Sequence, residues 1–170
     1  MAIASVLKDC NLFVVGKGYA GKVDEINLPK LTIKMDEYRA GGMDAPTEID
    51  MGMEKLESDF TLGEFDADVL KLFGVQIGSA QSFRAMGSIT NPSDGTASPV
   101  VVLLRGRVKE SDMGTWKPGE AAKHKVTLSV NYYKYTQGGI DLVEIDVEGM
   151  KRIINGVDQL AQTRVNLGIA

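Results

Sequence analysis

Apolar and polar residues alternate with a period of two along much of this chain, the spacing of strands that turn one face to a core. Residues 11–15, NLFVV, form a short apolar run closed by Gly16 and Gly18, which predicts a strand and a turn. Further on, Leu31, Ile33 and Met35 fall on one face and Thr32, Lys34 and Asp36 on the other, predicting a half-buried strand. Residues 40–50, AGGMDAPTEID, combine Gly41, Gly42 and Pro46 with no periodicity and predict a sizeable loop. Alternation resumes over 51–62, with Leu56, Phe60 and Leu62 set against Lys55, Glu57, Asp59 and Thr61. The pattern then changes: Phe65, Val69, Leu72 and Phe73 recur at helical spacing behind Asp66 and Asp68 and ahead of Gly74, predicting one short amphipathic helix over 64–73.

Three more strands are predicted at about 81–90, 99–109 and 123–136, separated by the turn-rich NPSDGTASP and DMGTWKPGE. In the last, Val126, Leu128, Val130 and Tyr132 form the apolar face, against Lys125, Thr127, Ser129, Asn131 and Tyr133. Strands of ~13 residues span about 43 Å, more than the core of a small domain requires, and suggest a projection into a larger assembly. Residues 140–147, IDLVEIDV, predict another strand, and 157–166 a short C-terminal helix stopped by Gly168. The sum is a mainly β chain with one flanking helix and a second short helix at its end.

Composition agrees and narrows the function. The 170 residues fit one domain, and 19 glycines, above the average of ~7%, suit a turn-rich β fold. A formal net charge of -4 argues against a surface that binds nucleic acid by releasing counterions. The one cysteine, Cys10, can form neither an internal disulfide nor a thiolate metal cluster, in keeping with synthesis in a reducing cytoplasm. The first residues lack the unbroken apolar stretch of a signal peptide or a membrane span.

Candidate chemistry is sparse. GKGYAG places Gly16, Gly18 and Gly21 in a G-x-G-x-x-G pattern, which binds pyrophosphate only when a helix follows. Here Pro29 and the alternation from Leu31 predict extended chain instead, and Val23 stands where a phosphate-binding loop needs Ser or Thr after Lys22. His124, the only histidine, sits in KHK with no nucleophile or paired carboxylate pattern around it and reads as a solvated strand residue. The carboxylate pairs Asp36–Glu37, Asp66–Asp68 and Glu144–Asp146 are scattered over different predicted elements. Tyr132, Tyr133 and Tyr135, interleaved with lysines, read as packing or subunit contacts rather than a base-stacking platform. Met43, Met51 and Met53 suit either gap-filling or an adaptable subunit seam. No catalytic, cofactor or metal set stands out.

Beyond these patterns, NLPKLTIKMDEYRAGGMDAP at 27–46 resembles the major tail tube proteins of contractile-tailed bacteriophages and R-type bacteriocins. The resemblance continues in order through IDMGME (49–54), LLRGRVKE (103–110), WKPGE (116–120), VEID (143–146) and INGVDQLA (154–161), and is weakest over 64–99. It implies a β-sandwich or barrel-like fold assembling as hexameric rings that stack into a hollow tube, a passive conduit for DNA with no enzymatic role. It implies as partners further copies of the chain, a tail sheath protein, baseplate or tail-tip and terminator proteins and a tape measure protein, with DNA passing unbound and no membrane. The tube would lie in the virion tail, assembled in the host cytoplasm; bacteriocin or other injection-system tubes are the near alternatives, and a small β-sandwich binding module the distant one. By the same analogy Ala40, Gly41, Gly42, Met43, Asp44, Ala45 and Pro46 are placed to contact a neighbouring subunit or ring. Thr32, Lys34, Asp36, Lys55, Glu57, Asp59 and Thr61 are candidates for the channel wall, where carboxylates would repel phosphate.

Overall fold

The computed structural model describes residues 3–74 and 78–169. In chain order these form β1 (Val6–Val14), β2 (Lys17–Gly18), β3 (Val23–Asn27), β4 (Ile33–Tyr38), β5 (Thr47–Met53), β6 (Leu56–Leu62), α1 (Ala67–Leu70), β7 (Gln81–Thr90), β8 (Ala97–Asp112), β9 (His124–Gln137), β10 (Ile140–Asp146), β11 (Lys151–Ile154), β12 (Val157–Asp158) and α2 (Ala161–Leu167). The named strands pair antiparallel. The main sheet runs β2-β1-β7-β8-β9 and then forks. Along one edge of β9, residues 124–130 pair with β6, which carries β3; residues 132–137 pair with β10, which leads to β11 and β12. β4 and β5 form a separate two-stranded hairpin.

The core follows from the alternation. Along β6 every second residue, Leu56, Ser58, Phe60 and Leu62, is buried. These meet Leu12 and Val14 of β1, Phe83 of β7, Val102 and Leu104 of β8, and Val126 and Leu128 of β9 in one apolar cluster. Phe60 and Phe83 lie on strands separated by β8 and β9, yet their rings are 6.0 Å apart. The sheet therefore curls until its inner face closes on itself, giving the expected mainly β, sandwich or barrel-like fold with two short helices. Burying one such aromatic side chain contributes roughly 2–3 kcal/mol, so this shared inner face is what holds the curl.

Several expectations need correction. The apolar face of β9 does not include Tyr132: it passes from Val130 to Tyr133, which is buried, while Tyr132 points outward. The pairing with β8 slips between Arg105–Tyr132 and Gly106–Val130, leaving Asn131 as an extra residue. A bulge of this kind inverts the phase of every later side chain. The predicted strand over 51–62 is two strands broken at Glu54–Lys55, because β5 belongs to the hairpin and β6 to the main sheet. The strand predicted at Leu31–Asp36 is not half-buried. β4 pairs only with β5 and is exposed throughout.

The loop predicted over 40–50 is shorter, since β5 begins at Thr47. The helix expected over 64–73 contracts to α1, capped by the Asp66 carboxylate, with Val69 its buried residue. Phe73 already bridges to Val108 of β8, so the chain has left the helical path by then. At the C-terminus Val157 lies in β12 and α2 begins at Ala161, ending on left-handed Gly168. β2, β3, β11 and β12 had no counterpart in the sequence pattern.

Candidate assembly surfaces

The hairpin is largely exposed. Its apolar residues, Leu31, Ile33, Met35, Tyr38, Ile49 and Met51, are each at least 38% exposed. They occupy both faces: Met35 lies opposite Asp50, while the adjacent Asp36 lies opposite Ile49. Apart from Met53 at its root, such a strand pair gains little from the chain's own core, and exposed apolar residues of this kind are a feature of contact surfaces. At its tip Ala40–Pro46 form a tight turn. The Met43 N–H donates to the Ala40 carbonyl at 3.2 Å, Arg39 Nε donates to the Met43 carbonyl at 3.3 Å, and Gly42 has φ of 90°. That positive φ favours glycine.

Charge is concentrated on the same element. Residues 33–53 carry Asp36, Glu37, Asp44, Glu48 and Asp50 against Lys34 and Arg39, a balance of -3 in a chain whose formal net charge is -4. Glu37 and Glu48 face each other directly across the hairpin. Like charges at that position repel.

The residues proposed for a channel wall divide between two places. Thr32, Lys34 and Asp36 lie on the hairpin, whereas Lys55, Glu57, Asp59 and Thr61 lie on the body; only Thr32 joins Lys55, Glu57 and Asp59, in a groove beside Asn27 and Lys30. The outward face of β6 is continuous with that of β9 and β8, since Glu57 lies opposite Ser129 and Ser129 opposite Arg107. Its carboxylates are paired. Glu57 accepts from Lys109 at 2.6 Å and from Lys55 at 2.8 Å, and these ammonium groups hold its carboxyl down to about 2. Asp59 accepts from Asn27 at 2.8 Å and lies 3.5 Å from Lys125. Farther along, Arg105 and Arg107 point outward, Arg105 stacking 4.7 Å from the Tyr132 ring, whose hydroxyl donates to Glu144 at 3.0 Å. The Glu57 and Asp59 carboxylates are therefore neutralised by lysines, and the repulsion of phosphate expected from them is reduced, while Arg105 and Arg107 add positive charge to the same face.

Other sequence candidates have structural places. The GKGYAG glycines turn the chain from β1 to β2 and on into β3, with Gly16 at φ 85° and Gly21 at φ 76°. A strand follows them, and Lys17 within the motif is tied to Asp68 and Asp66 of the α1 cap at 2.8 and 3.2 Å. Met53 packs against the core, whereas Met51 is exposed on the hairpin.

His124 is not solvated: it is completely buried, its Nε2 lies 2.7 Å from the Ser111 hydroxyl, and its ring sits 6.4 Å from that of Phe65, which in turn stacks on Trp116. Burial pushes its pKa down, opposed by the charges of Asp112 and Asp66. The folded chain thus holds a neutral imidazole, and the unfolded chain, with a value near ~6.5, takes up a proton first on acidification. Stability is then full above that value and falls as pH drops below it, by at most about 1.4 kcal/mol per pH unit. Since this is the one histidine, and the shifted carboxylates titrate lower, thermal melts at pH 7.5 and 5.5 should show a drop that is absent in His124→Gln.

Comparison with known proteins gives the family. The family described as phage tail tube protein FII matches residues 4–168. The tail tube protein of Escherichia phage P2 is 37% identical over 172 residues, covering 99% of this chain and 100% of that protein. The major tail tube protein of Serratia phage KSP20 is 32% identical over 149 residues, covering 86% and 85%. In fold, the chain is similar to one from the PVC sheath-tube complex of an extracellular contractile injection system in its extended state. That likeness has a TM-score of 0.59 at 10% identity, over 75% of this chain and 87% of that one. With a family match running nearly end to end and two phage relatives above 30% identity, the chain belongs to the phage tail tube protein FII family.

Proposed function

We propose that this chain is the repeating subunit of a contractile phage tail tube, in which hexameric rings stack into a hollow conduit that passes DNA and is enclosed by a sheath. One observation of the fold carries the reading: a hairpin that exposes apolar residues on both faces and carries a marked excess of carboxylates. An element so costly to leave in water has a physical reason to exist when a neighbouring copy covers it. In this arrangement Ala40–Pro46 reach the next subunit or ring, and the outward face of β6, β8 and β9 is the candidate channel wall. The lysines of that wall held by Glu57 and Asp59 suit a conduit, because ammonium groups already paired with carboxylates have less to gain from phosphate.

Function here is structural, with no step of chemistry assigned to the chain. The outer surface of the tube would meet the sheath, its ends the baseplate and terminator proteins, and its lumen the tape measure protein during assembly in the host cytoplasm. A photo-cross-linking residue at Met43 should yield dimers and higher multimers of the chain in assembled material, resolved on a denaturing gel. Recovery of monomer alone from such material would remove the hairpin tip from the interface.

A further inference from the structure

Among the described residues the β4–β5 hairpin pairs with no strand outside itself, and the chain enters the main sheet after it through the short Glu54–Lys55 break. Met53 packs on the core at the hairpin's root, and among the described residues one side-chain ion pair joins residues 31–53 to the rest: Arg152 Nη2 donates to Asp50 Oδ2 at 2.7 Å, and Nη1 to Oδ1 at 3.5 Å. The Arg152 side chain is only 12% exposed, and its buried Nε has no hydrogen-bond partner among the described residues. On the hairpin side, Asp50 Oδ1 also accepts from the Gly52 N–H at 2.8 Å. Gly52 has φ of 100°, where the hairpin register slips between the Ile33 and Met35 pairs. One carboxylate thus holds both the bend in β5 and the contact to the body.

Behind Arg152 the support is firm. Its backbone carbonyl accepts from the Gln159 N–H at 2.9 Å, while Arg164 of α2 binds Asp158 at 2.6 Å and the Met150 carbonyl at 2.8 Å. A guanidinium fork on a carboxylate fixes direction as well as distance. We propose that Asp50 and Arg152 are positioning residues that set the angle at which the hairpin leaves the body, and so the readiness of a subunit to join another copy. This rests on the hairpin being a subunit contact. Without the tie the hairpin is held near its root, by Met53 on the core and the hydrogen bond from the Glu54 N–H to the Thr32 carbonyl, and its tip swings more widely. Only a fraction of monomers then present it correctly, and apparent affinity falls by that fraction.

The test uses the full-length chain with Cys10→Ser and spin labels on Asp44→Cys and Ser93→Cys, followed by distance measurements on the monomer. Arg152→Gln should broaden the distribution and raise the critical concentration for tube growth by about threefold or more. Arg152→Lys, which keeps the charge but not the fork, should fall between. The melting temperature should stay close to that of the parent. Should Arg152→Gln fail to fold, Asp50→Asn serves, since it keeps an acceptor for Gly52 while removing the charge. An unchanged distribution with unchanged assembly would overturn the proposal. If a chain lacking Gly41–Asp44 still forms tubes, it is the underlying interface that is wrong; if that chain fails and Arg152→Gln assembles normally, only the positioning role falls.

Discussion

Removing Gly41–Asp44 is expected to leave a folded monomer that no longer forms tubes at any accessible concentration. The deletion shortens the hairpin tip, whose turn rests on the Met43–Ala40 hydrogen bond and on Arg39, and it takes no residue from the core cluster. Its cost to the body should therefore stay within about 1 kcal/mol, as for surface changes away from packed features. Assembly is another matter, because polymer growth repeats the same contact at every subunit and the loss recurs each time. Circular dichroism and a melt within a few degrees of wild type, together with sedimentation as monomer alone, would match this expectation. Normal tubes from the shortened chain would move the contact elsewhere.

The largest effect on stability is expected from Gly106→Ala. A Cβ at this position would stand 2.1 Å from the Ser129 carbonyl oxygen and 3.0 Å from the Val130 Cα, both backbone atoms of the paired strand. Neither can rotate away. The site adjoins the Asn131 bulge where β9 changes partner from β6 to β10, so forcing β8 and β9 apart would disturb both branches of the sheet. A loss of about 3 kcal/mol is expected, the upper end for overpacking and a large part of a typical ~5–15 kcal/mol total. Gly41→Ala is the control, since nothing lies within 4 Å of its added methyl. In urea titrations the first variant should unfold at clearly lower denaturant and the second near wild type. Equal midpoints would show that the two strands can part there without cost.

Much of the sheet was legible because alternation reports the inner face directly: β7 occupies the residues the pattern predicted, and Leu56, Phe60 and Leu62 of β6 are buried as read. Where the reading failed, each failure has a physical cause. One extra residue at Asn131 changes which tyrosine is buried, and nothing in VNYYKY distinguishes an extra residue from the next step of the alternation. His124 was misjudged from the lysines on either side, yet strand neighbours point to the opposite face and say nothing about where the residue between them goes.

The hairpin is the more instructive case. Its alternation is real, but the apolar positions Leu31, Ile33 and Met35 remain in water in the single chain. On the proposed contact between copies, such a sequence would carry the signature of burial that one copy does not show. The candidate wall residues could be read as a polar face, whereas their pairing with Lys109 and Lys125 from strands far along the chain could not. Nor could the tie between Asp50 and Arg152, which are 102 residues apart.

Electron microscopy of the purified chain, concentrated alone or seeded with a tail-tip assembly, tests the central claim most directly. A tube subunit predicts hollow rings and rods of constant width that lengthen with concentration, with sixfold symmetry in end-on views. A chain that stays monomeric at high concentration and does not grow on the seed would contradict it.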